Sequence, residues 1–188
     1  RHYVPSVSND RLTYAYRLNY EGTFGRKAPY YILPYLTTVG PTYDRDGMGG
    51  FRTVRGIMRN RVQGLDMASY NAELRWRFVQ FTLWKQNIAF GLNVFSDGTM
   101  VTTGYDMTFG RTLEDFATPN EYEKAKAEYN AYMAQGTEKD RPHITVGGGF
   151  RFIMNQNFIV CLEYGKPIGK LAKQDGKGAF YINTGYLF

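Results

Sequence analysis

Residues 11–21 alternate between apolar and polar side chains, and this period of two is the feature that most limits the fold. Leu12, Tyr14, Tyr16, Leu18 and Tyr20 share one face. Arginine, threonine, alanine, asparagine and glutamate occupy the other, from Arg11 to Glu21. Only an extended strand places every second side chain on the same face. The alternation therefore predicts a β-strand with one apolar and one polar face.

Similar alternation recurs along the chain and predicts about seven strands, at residues 11–21, 29–38, 68–79, 87–101, 143–154, 158–165 and 179–188. Pro34 interrupts the second of these, so we expect weak or bulged pairing there. Two long segments, 39–66 and 104–142, separate the strands, whereas the other links are short. Long loops without regular structure are uncommon and usually functional. We expect one all-β domain over residues 1–188.

Residues 119–134 are predicted to form one short helix inside the second long segment. Thr118 and Glu121 have the spacing of a capping box, and Pro119 takes the first helical position. Gly136 marks the expected end. The charge-rich remainder of the segment favours a solvated surface helix over a helix that binds a partner.

The composition permits a membrane protein, although the mean hydropathy is −0.44. No stretch approaches the roughly 20 apolar residues of a spanning helix, but a transmembrane strand needs only about 9–11 residues with alternate ones apolar. The 16 tyrosines and 13 phenylalanines suit the aromatic girdles of a barrel. A soluble, tyrosine-rich β-sandwich explains the composition alone equally well. Short turns on one side and long loops on the other favour the transmembrane barrel.

Several other classes are disfavoured. The net charge of +6 is scattered rather than clustered, so we expect no nucleic-acid partner. A single cysteine, Cys161, excludes an internal disulfide, and His2 and His143 lack ligand spacing, so we expect no metal and no cofactor. No catalytic or phosphate-binding motif is present, and we expect no enzyme activity. The chain begins without a signal peptide, which leaves a cytosolic protein or a mature fragment; the strands favour the fragment.

Strand parity collects charged side chains on the polar faces. Glu73 and Asp97 fall there, together with Glu21, Glu163 and the arginines at 11, 17, 75, 77 and 151. A charge facing lipid costs roughly 2–4 kcal/mol at the bilayer midplane, so these side chains are expected to face an interior. Glu73 and Asp97 have the types of a general acid–base pair, but the nearby arginines favour ion pairing.

Val54, Arg55, Gly56 and Ile57 form the most distinctive motif of the first long loop. Gly56 permits a tight turn of the backbone. The planar guanidinium of Arg55 can hold two carboxylates at once. We therefore predict that Arg55 folds inward and binds Glu73 and Asp97, which would tether the loop to the strands.

These segments resemble the C-terminal part of the BamA/TamA family, the bacterial surface antigen family of outer-membrane β-barrels, over nearly the whole chain. Val54 to Ile57 resembles the Val-Arg-Gly-aromatic motif of the sixth extracellular loop, with Ile57 in place of the aromatic residue. Residues 71–75, 95–98 and 147–151 resemble its strand motifs, although Gly98 comes one position early. The closing strand and C-terminal signal of the family are matched at alternate positions by Phe180, Ile182, Tyr186 and Phe188.

The resemblance implies an antiparallel transmembrane barrel of about sixteen strands, of which this chain supplies roughly the last seven. It implies that the loop arginine pairs with the strand carboxylates, and that the last strand meets the first at a seam that opens laterally. The expected partners are outer-membrane lipid, the remaining N-terminal strands, client β-barrel proteins and accessory lipoproteins.

The function implied by this resemblance is the assembly and insertion of β-barrel proteins by an integral protein of the Gram-negative outer membrane. Two alternatives stay open: a secretion pore of the two-partner type, and the barrel anchor of an upstream patatin-like or phosphoesterase hydrolase. We favour assembly over secretion, and both over a hydrolase.

Overall fold

The computed structural model describes residues 2–6, 9–22, 36–37, 45–104, 111–136, 141–155 and 157–184. The strands in these ranges are β1 (His2–Ser6), β2 (Asn9–Gly22), β3 (Leu36–Thr37), β4 (Arg45–Asp46), β5 (Asp66–Leu83), β6 (Gln86–Thr103), β7 (His143–Met154), β8 (Phe158–Ile168) and β9 (Ala179–Thr184).

Seven of these strands form one antiparallel sheet, in the order β1-β2-β5-β6-β7-β8-β9. The prediction of an all-β chain built from antiparallel strands is confirmed. Neighbours in this main sheet are also consecutive among its strands in the chain, and β3 and β4 lie in the connection between β2 and β5. The strands β1 and β9 form its two edges.

The predicted strand at residues 29–38 is a strand in the part that the structure describes, but that part does not join the main sheet. Leu36–Thr37 pairs with Arg45–Asp46 in a separate two-stranded sheet, and residues 29–35 and 38 lie outside the described residues. The main sheet instead contains β1, which the sequence did not predict and which pairs with β2 at the edge of the sheet. This strand is short, and its register with β2 shifts between Pro5 and Ser6. Proline is tolerated there because an edge strand needs fewer backbone donors.

The β5–β6 hairpin is longer than predicted. The predicted strands at 68–79 and 87–101 are too short, because β5 continues to Leu83 and β6 begins at Gln86. Only Trp84 and Lys85 turn, with φ values of 48° and 63°, as in the two-residue turns that match strand twist. A bulge between Arg77 and Val79 shifts the alternation of β5.

The two faces of the main sheet differ in character. One face, here called the apolar face, carries large exposed hydrophobic side chains, among them Leu18, Leu74, Trp76, Leu92, Val94, Phe150, Leu162 and Ile182. The opposite polar face carries buried polar and charged side chains, among them Arg17, Asn71, Glu73, Asn93, Asp97, Thr145, Arg151 and Glu163. The large side chains of the apolar face are thus exposed, whereas the polar face buries charged side chains together with a small apolar cluster of Ala89, Ile153, Ile159 and Cys161.

The predicted helix is confirmed as α1 (Pro119–Gly136). The Glu121 amide donates to the Thr118 hydroxyl at 3.3 Å, as an N-cap requires. A second, four-residue helix, α2 (Ala172–Asp175), lies in the β8–β9 link. These two are the α-helices of the described residues. Neither has both the length and the hydropathy that crossing a membrane requires.

Residues 47–65, here called the Arg55 loop, are ordered by their own contacts on the polar face. Met48 and Val62 exchange backbone hydrogen bonds of 3.1 and 3.0 Å, which closes the base of the loop. Their side chains form a buried cluster with Met67 at the start of β5, and Val101 of β6 packs against it. The predicted loop at 39–66 therefore has a structured second half, while residues 39–44 lie outside the described residues.

Candidate functional site

The tip of the Arg55 loop is buried against the sheet over the five consecutive residues Thr53–Ile57. The Gly50 amide donates to the Ile57 carbonyl at 3.0 Å, and the Gly49 amide donates to the Thr53 hydroxyl at 2.8 Å. These bonds close a compact turn around Arg55. Buried loops are rare because their backbone groups need partners, and here the turn and the sheet provide them.

Arg55 makes its fullest contact with Asp97 of β6. Its Nε and Nη2 donate to the two oxygens of that carboxylate at 2.8 and 3.0 Å, in the fork geometry that arginine and carboxylate favour. The Arg55 amide adds a third bond to Asp97 at 3.1 Å. Both side chains are fully buried. One strand carboxylate therefore fixes both the side chain and the backbone of the loop tip.

The remaining nitrogen of Arg55 reaches two further strands. Nη1 donates to Glu73 of β5 and to Glu163 of β8, each at 3.1 Å. Arg151 donates to both of these glutamates, and Arg75 donates to Glu73 at 3.0 Å. Three guanidinium groups and three carboxylates thus form one buried cluster, here called the charge cluster: Arg55, Arg75, Arg151, Glu73, Asp97 and Glu163.

Arg55 remains charged in this environment. Burial by itself would lower the pKa of its guanidinium, but the hydrogen bonds to Asp97 and the charges of Asp97, Glu73 and Glu163 outweigh it and raise that pKa above its ordinary value. The guanidinium also stacks on the Phe95 ring, 3.5 Å from the ring centroid. A buried charge that lost such partners would cost several kcal/mol, roughly 3–5 when one partner of a pair is removed.

The loop tip lies over a row of sheet residues, of which Gly147, Gly165 and Ala179 are small. Glu73, Phe95, Gly147, Gly165 and Ala179 lie side by side across five strands of the sheet. A Cβ atom at Gly165 would stand 2.9 Å from the amide nitrogen of Gly56, so only glycine permits this approach of loop and strand. Gly56 itself has a φ of +93°, which disfavours residues with a side chain. Gly56 and Gly165 therefore allow the backbone of the loop to pack directly against the backbone of β8.

A second set of hydrogen bonds joins the loop to β2 and β5. The Asn71 side-chain amide donates to the Thr53 carbonyl at 2.7 Å. Arg17 donates to the oxygen of the same Asn71 at 2.9 and 2.7 Å, and it reaches the Arg52 carbonyl at 3.4 Å. The segment just before the motif is thus held by neutral and charged hydrogen bonds outside the charge cluster.

The structure places the predicted residues as follows. It brings Arg55, Glu73 and Asp97 into direct contact. Val54 and Ile57, the predicted apolar residues of the motif, are buried in the loop tip. Phe180 and Ile182 are exposed on the apolar face of β9. The last two predicted residues of the closing strand, Tyr186 and Phe188, lie outside the described residues.

Sequence reasoning did not assign three partners of the loop: Glu163 as a third carboxylate for Arg55, the Phe95 ring, and Tyr181 of β9. The Tyr181 hydroxyl accepts a hydrogen bond from the Gly56 amide at 2.8 Å. Parity already put all three on the polar faces. What it lacked was the register between strands, which sets Glu163 opposite Tyr181 and Glu73 opposite Phe95.

The chemistry that the charge cluster offers is electrostatic attachment. Each of its carboxylates accepts hydrogen bonds from at least one guanidinium. In the described part of the chain, no group of three or more His, Cys, Asp or Glu side chains has an arrangement that could hold a metal ion.

Comparison of the chain with protein-family models, with curated proteins and with solved structures gave no match.

Proposed function

We propose that this chain is the C-terminal part of a BamA/TamA-type outer-membrane β-barrel that folds and inserts other β-barrel proteins. The barrel would have about sixteen strands, and the seven-stranded main sheet would be its last portion. The observation that carries the proposal is the fully buried Arg55, which binds Asp97, Glu73 and Glu163 on the polar face of a sheet whose other face is apolar and exposed.

The apolar face supports a lipid environment. Leu18, Val94 and Ile182 are 71%, 59% and 71% exposed, and many other large hydrophobic side chains on this face are exposed as well. Contiguous apolar surface of this extent is a liability in water and marks contact with a partner or a membrane. A bilayer covers such a surface without any further protein. The proposed location is therefore integral to the outer membrane, with lipid against this face.

The polar face supports a closed interior. A charged side chain that faces lipid costs roughly 2–4 kcal/mol at the bilayer midplane, whereas the inside of a barrel is polar and excludes lipid. The Arg55 loop would then fill part of this interior and hold adjacent strands of the wall together. It contacts β5, β6, β8 and β9 through Glu73, Asp97, Glu163 and Tyr181.

The edges of the sheet support an activity in strand pairing rather than bond chemistry. Within the described strands, β1 and β9 each have one neighbour in the main sheet. An edge strand presents backbone donors and acceptors that another strand can pair with. In the proposed barrel, β9 would meet the first strand at a seam that opens sideways, and a client strand would pair there during insertion.

The test is insertion of a client barrel into vesicles by the complete protein and by its Arg55→Glu variant. The substitution places a fourth carboxylate among three, so the loop cannot dock and insertion should fall to the uncatalysed rate. The matched control is Arg61→Glu, because Arg61 lies exposed in the same loop. Normal insertion by Arg55→Glu contradicts the proposal.

The same vesicles distinguish the alternatives. Steady ion conductance that depends on one secreted protein, without client insertion, indicates a secretion pore of the two-partner type. Hydrolysis of lipid or phosphoester substrates without insertion indicates the anchor of a hydrolase. A chain that stays in the aqueous phase without detergent contradicts all membrane functions.

A further inference from the structure

A hydrogen bond joins the Arg55 loop to the edge of the sheet through Tyr181 of β9. The Tyr181 hydroxyl accepts a hydrogen bond of 2.8 Å from the Gly56 amide, the residue next to Arg55. Gly56 is buried and Tyr181 is half-buried. The turn that places Arg55 in the charge cluster therefore also presents a backbone donor to the edge strand.

The register of the sheet explains why Tyr181 can reach the loop. It lies opposite Glu163, which Arg55 also binds, and Ala179 lies opposite Gly165, which seats the loop tip. The small residues leave space above the backbone, so the tyrosine ring can lean toward the loop. Tyr181 also lines a cavity of about 200 Å³ together with Ile57 and Met58, mainly apolar in its lining, between the loop and β9.

The edge strand has few other attachments among the described residues. It spans Ala179–Thr184 and pairs along one side with β8, from Gly165 to Val160. Its alternate side chains Phe180 and Ile182 are exposed on the apolar face. A short strand with one neighbour opens at low free-energy cost. The hydrogen bond from the buried loop amide therefore adds to the pairing with β8 that holds this strand.

We propose that Tyr181 is a positioning residue that couples docking of the Arg55 loop to the position of edge strand β9. While the charge cluster holds the loop, the Gly56 amide holds Tyr181 and β9 stays against the sheet. When the loop leaves the cluster, β9 loses this tie and its edge becomes free to move. The inference rests on the proposed function in one respect: the free side of β9 is where a client strand would pair.

A double-mutant cycle read by amide hydrogen exchange tests the coupling in the complete protein in detergent micelles. The variants are Tyr181→Phe, Arg55→Lys and the two combined. Tyr181→Phe removes one oxygen, and Arg55→Lys keeps the charge but loses the fork that binds Asp97. Each single variant should speed exchange of residues 179–184 about three- to tenfold, the range expected for one hydrogen bond. The combined variant should exchange no faster than the faster single variant.

Tyr164→Phe is the matched control. Tyr164 lies on neighbouring β8, and its hydroxyl donates to the Lys177 carbonyl at 3.1 Å, away from the loop. This control should leave exchange of residues 53–57 unchanged. Effects of Tyr181→Phe and Arg55→Lys that multiply in the combined variant overturn the coupling. Unchanged exchange of β9 in Arg55→Lys alone also overturns it, so the test does not depend on the folding of Tyr181→Phe.

Client insertion by the same preparations separates this inference from the proposed function. If the wild-type protein inserts no client while the cycle is non-additive, the function fails and the coupling stands. If the wild-type protein inserts clients while the exchange effects multiply, the coupling fails and the function stands.

Discussion

Replacing Arg55 with alanine should release the loop tip from the sheet. Among the described residues, the Asp97 carboxylate takes all three of its hydrogen bonds from Arg55, whereas Glu73 and Glu163 keep Arg151. Removing one partner of a buried ion pair costs roughly 3–5 kcal/mol, because the other charge stays buried. Since about 1.4 kcal/mol is a tenfold change in an equilibrium, the open population should rise by roughly two to three and a half orders of magnitude.

Amide hydrogen exchange of residues 53–57 measures this opening directly. In the docked loop the Arg55 and Gly56 amides donate to Asp97 and Tyr181, at 3.1 and 2.8 Å. Their exchange should accelerate by the factor given above, while the amides of β6 and β7 keep their protection. Arg61→Ala, at an exposed position of the same loop, is the control and should exchange like the wild type. Slow exchange in Arg55→Ala would refute the reasoning that the charge cluster holds the loop.

Three further outcomes are expected. Asp97→Asn should speed exchange of the loop amides at least about tenfold more than Glu73→Gln. The reason is that hydrogen bonds to a charged group contribute roughly 1.5–3 kcal/mol, and Asp97 accepts three from the loop. Equal effects of the two substitutions would contradict this. Gly165→Ala should destabilise the docked loop by roughly 1–3 kcal/mol through overpacking, measured by the same exchange, whereas Gly104→Ala, with open space around it, should not. Lys85→Gly should raise the thermal unfolding midpoint, because a left-handed residue with a side chain costs about 1–2 kcal/mol; an unchanged midpoint would show that the turn is unstrained.

The face of each strand could be predicted from the sequence, because the side-chain period of two is a local property. Glu73 and Asp97 fall on the polar face by counting along their own strands, with no knowledge of the neighbours. The same holds for the exposed positions of Phe180 and Ile182. Helix α1 was also predictable, since Thr118, Pro119 and Gly136 act within a few residues of its ends.

Features that depend on register or on irregular backbone could not be predicted in this way. The bulge after Arg77 adds one residue to β5 and reverses the faces of Val79 and Phe81. No residue type at this point of the sequence predicts it. Strand β1 has too few residues to show a period. The third carboxylate of Arg55, Glu163, is distant in the chain, and only the pairing of β5 through β8 brings it to the loop.

The lipid contact of the apolar face is the most direct test of the whole account. The chain has two tryptophans, Trp76 on this face and Trp84 at the tip of the β5–β6 hairpin. In a variant reconstituted into vesicles in which Trp84, and any tryptophan outside these 188 residues, is replaced by phenylalanine, Trp76 reports alone. If lipid covers the apolar face, lipids with brominated acyl chains should quench the Trp76 fluorescence strongly, and aqueous iodide should quench it weakly. Strong quenching by iodide with none by brominated lipid would contradict this lipid contact.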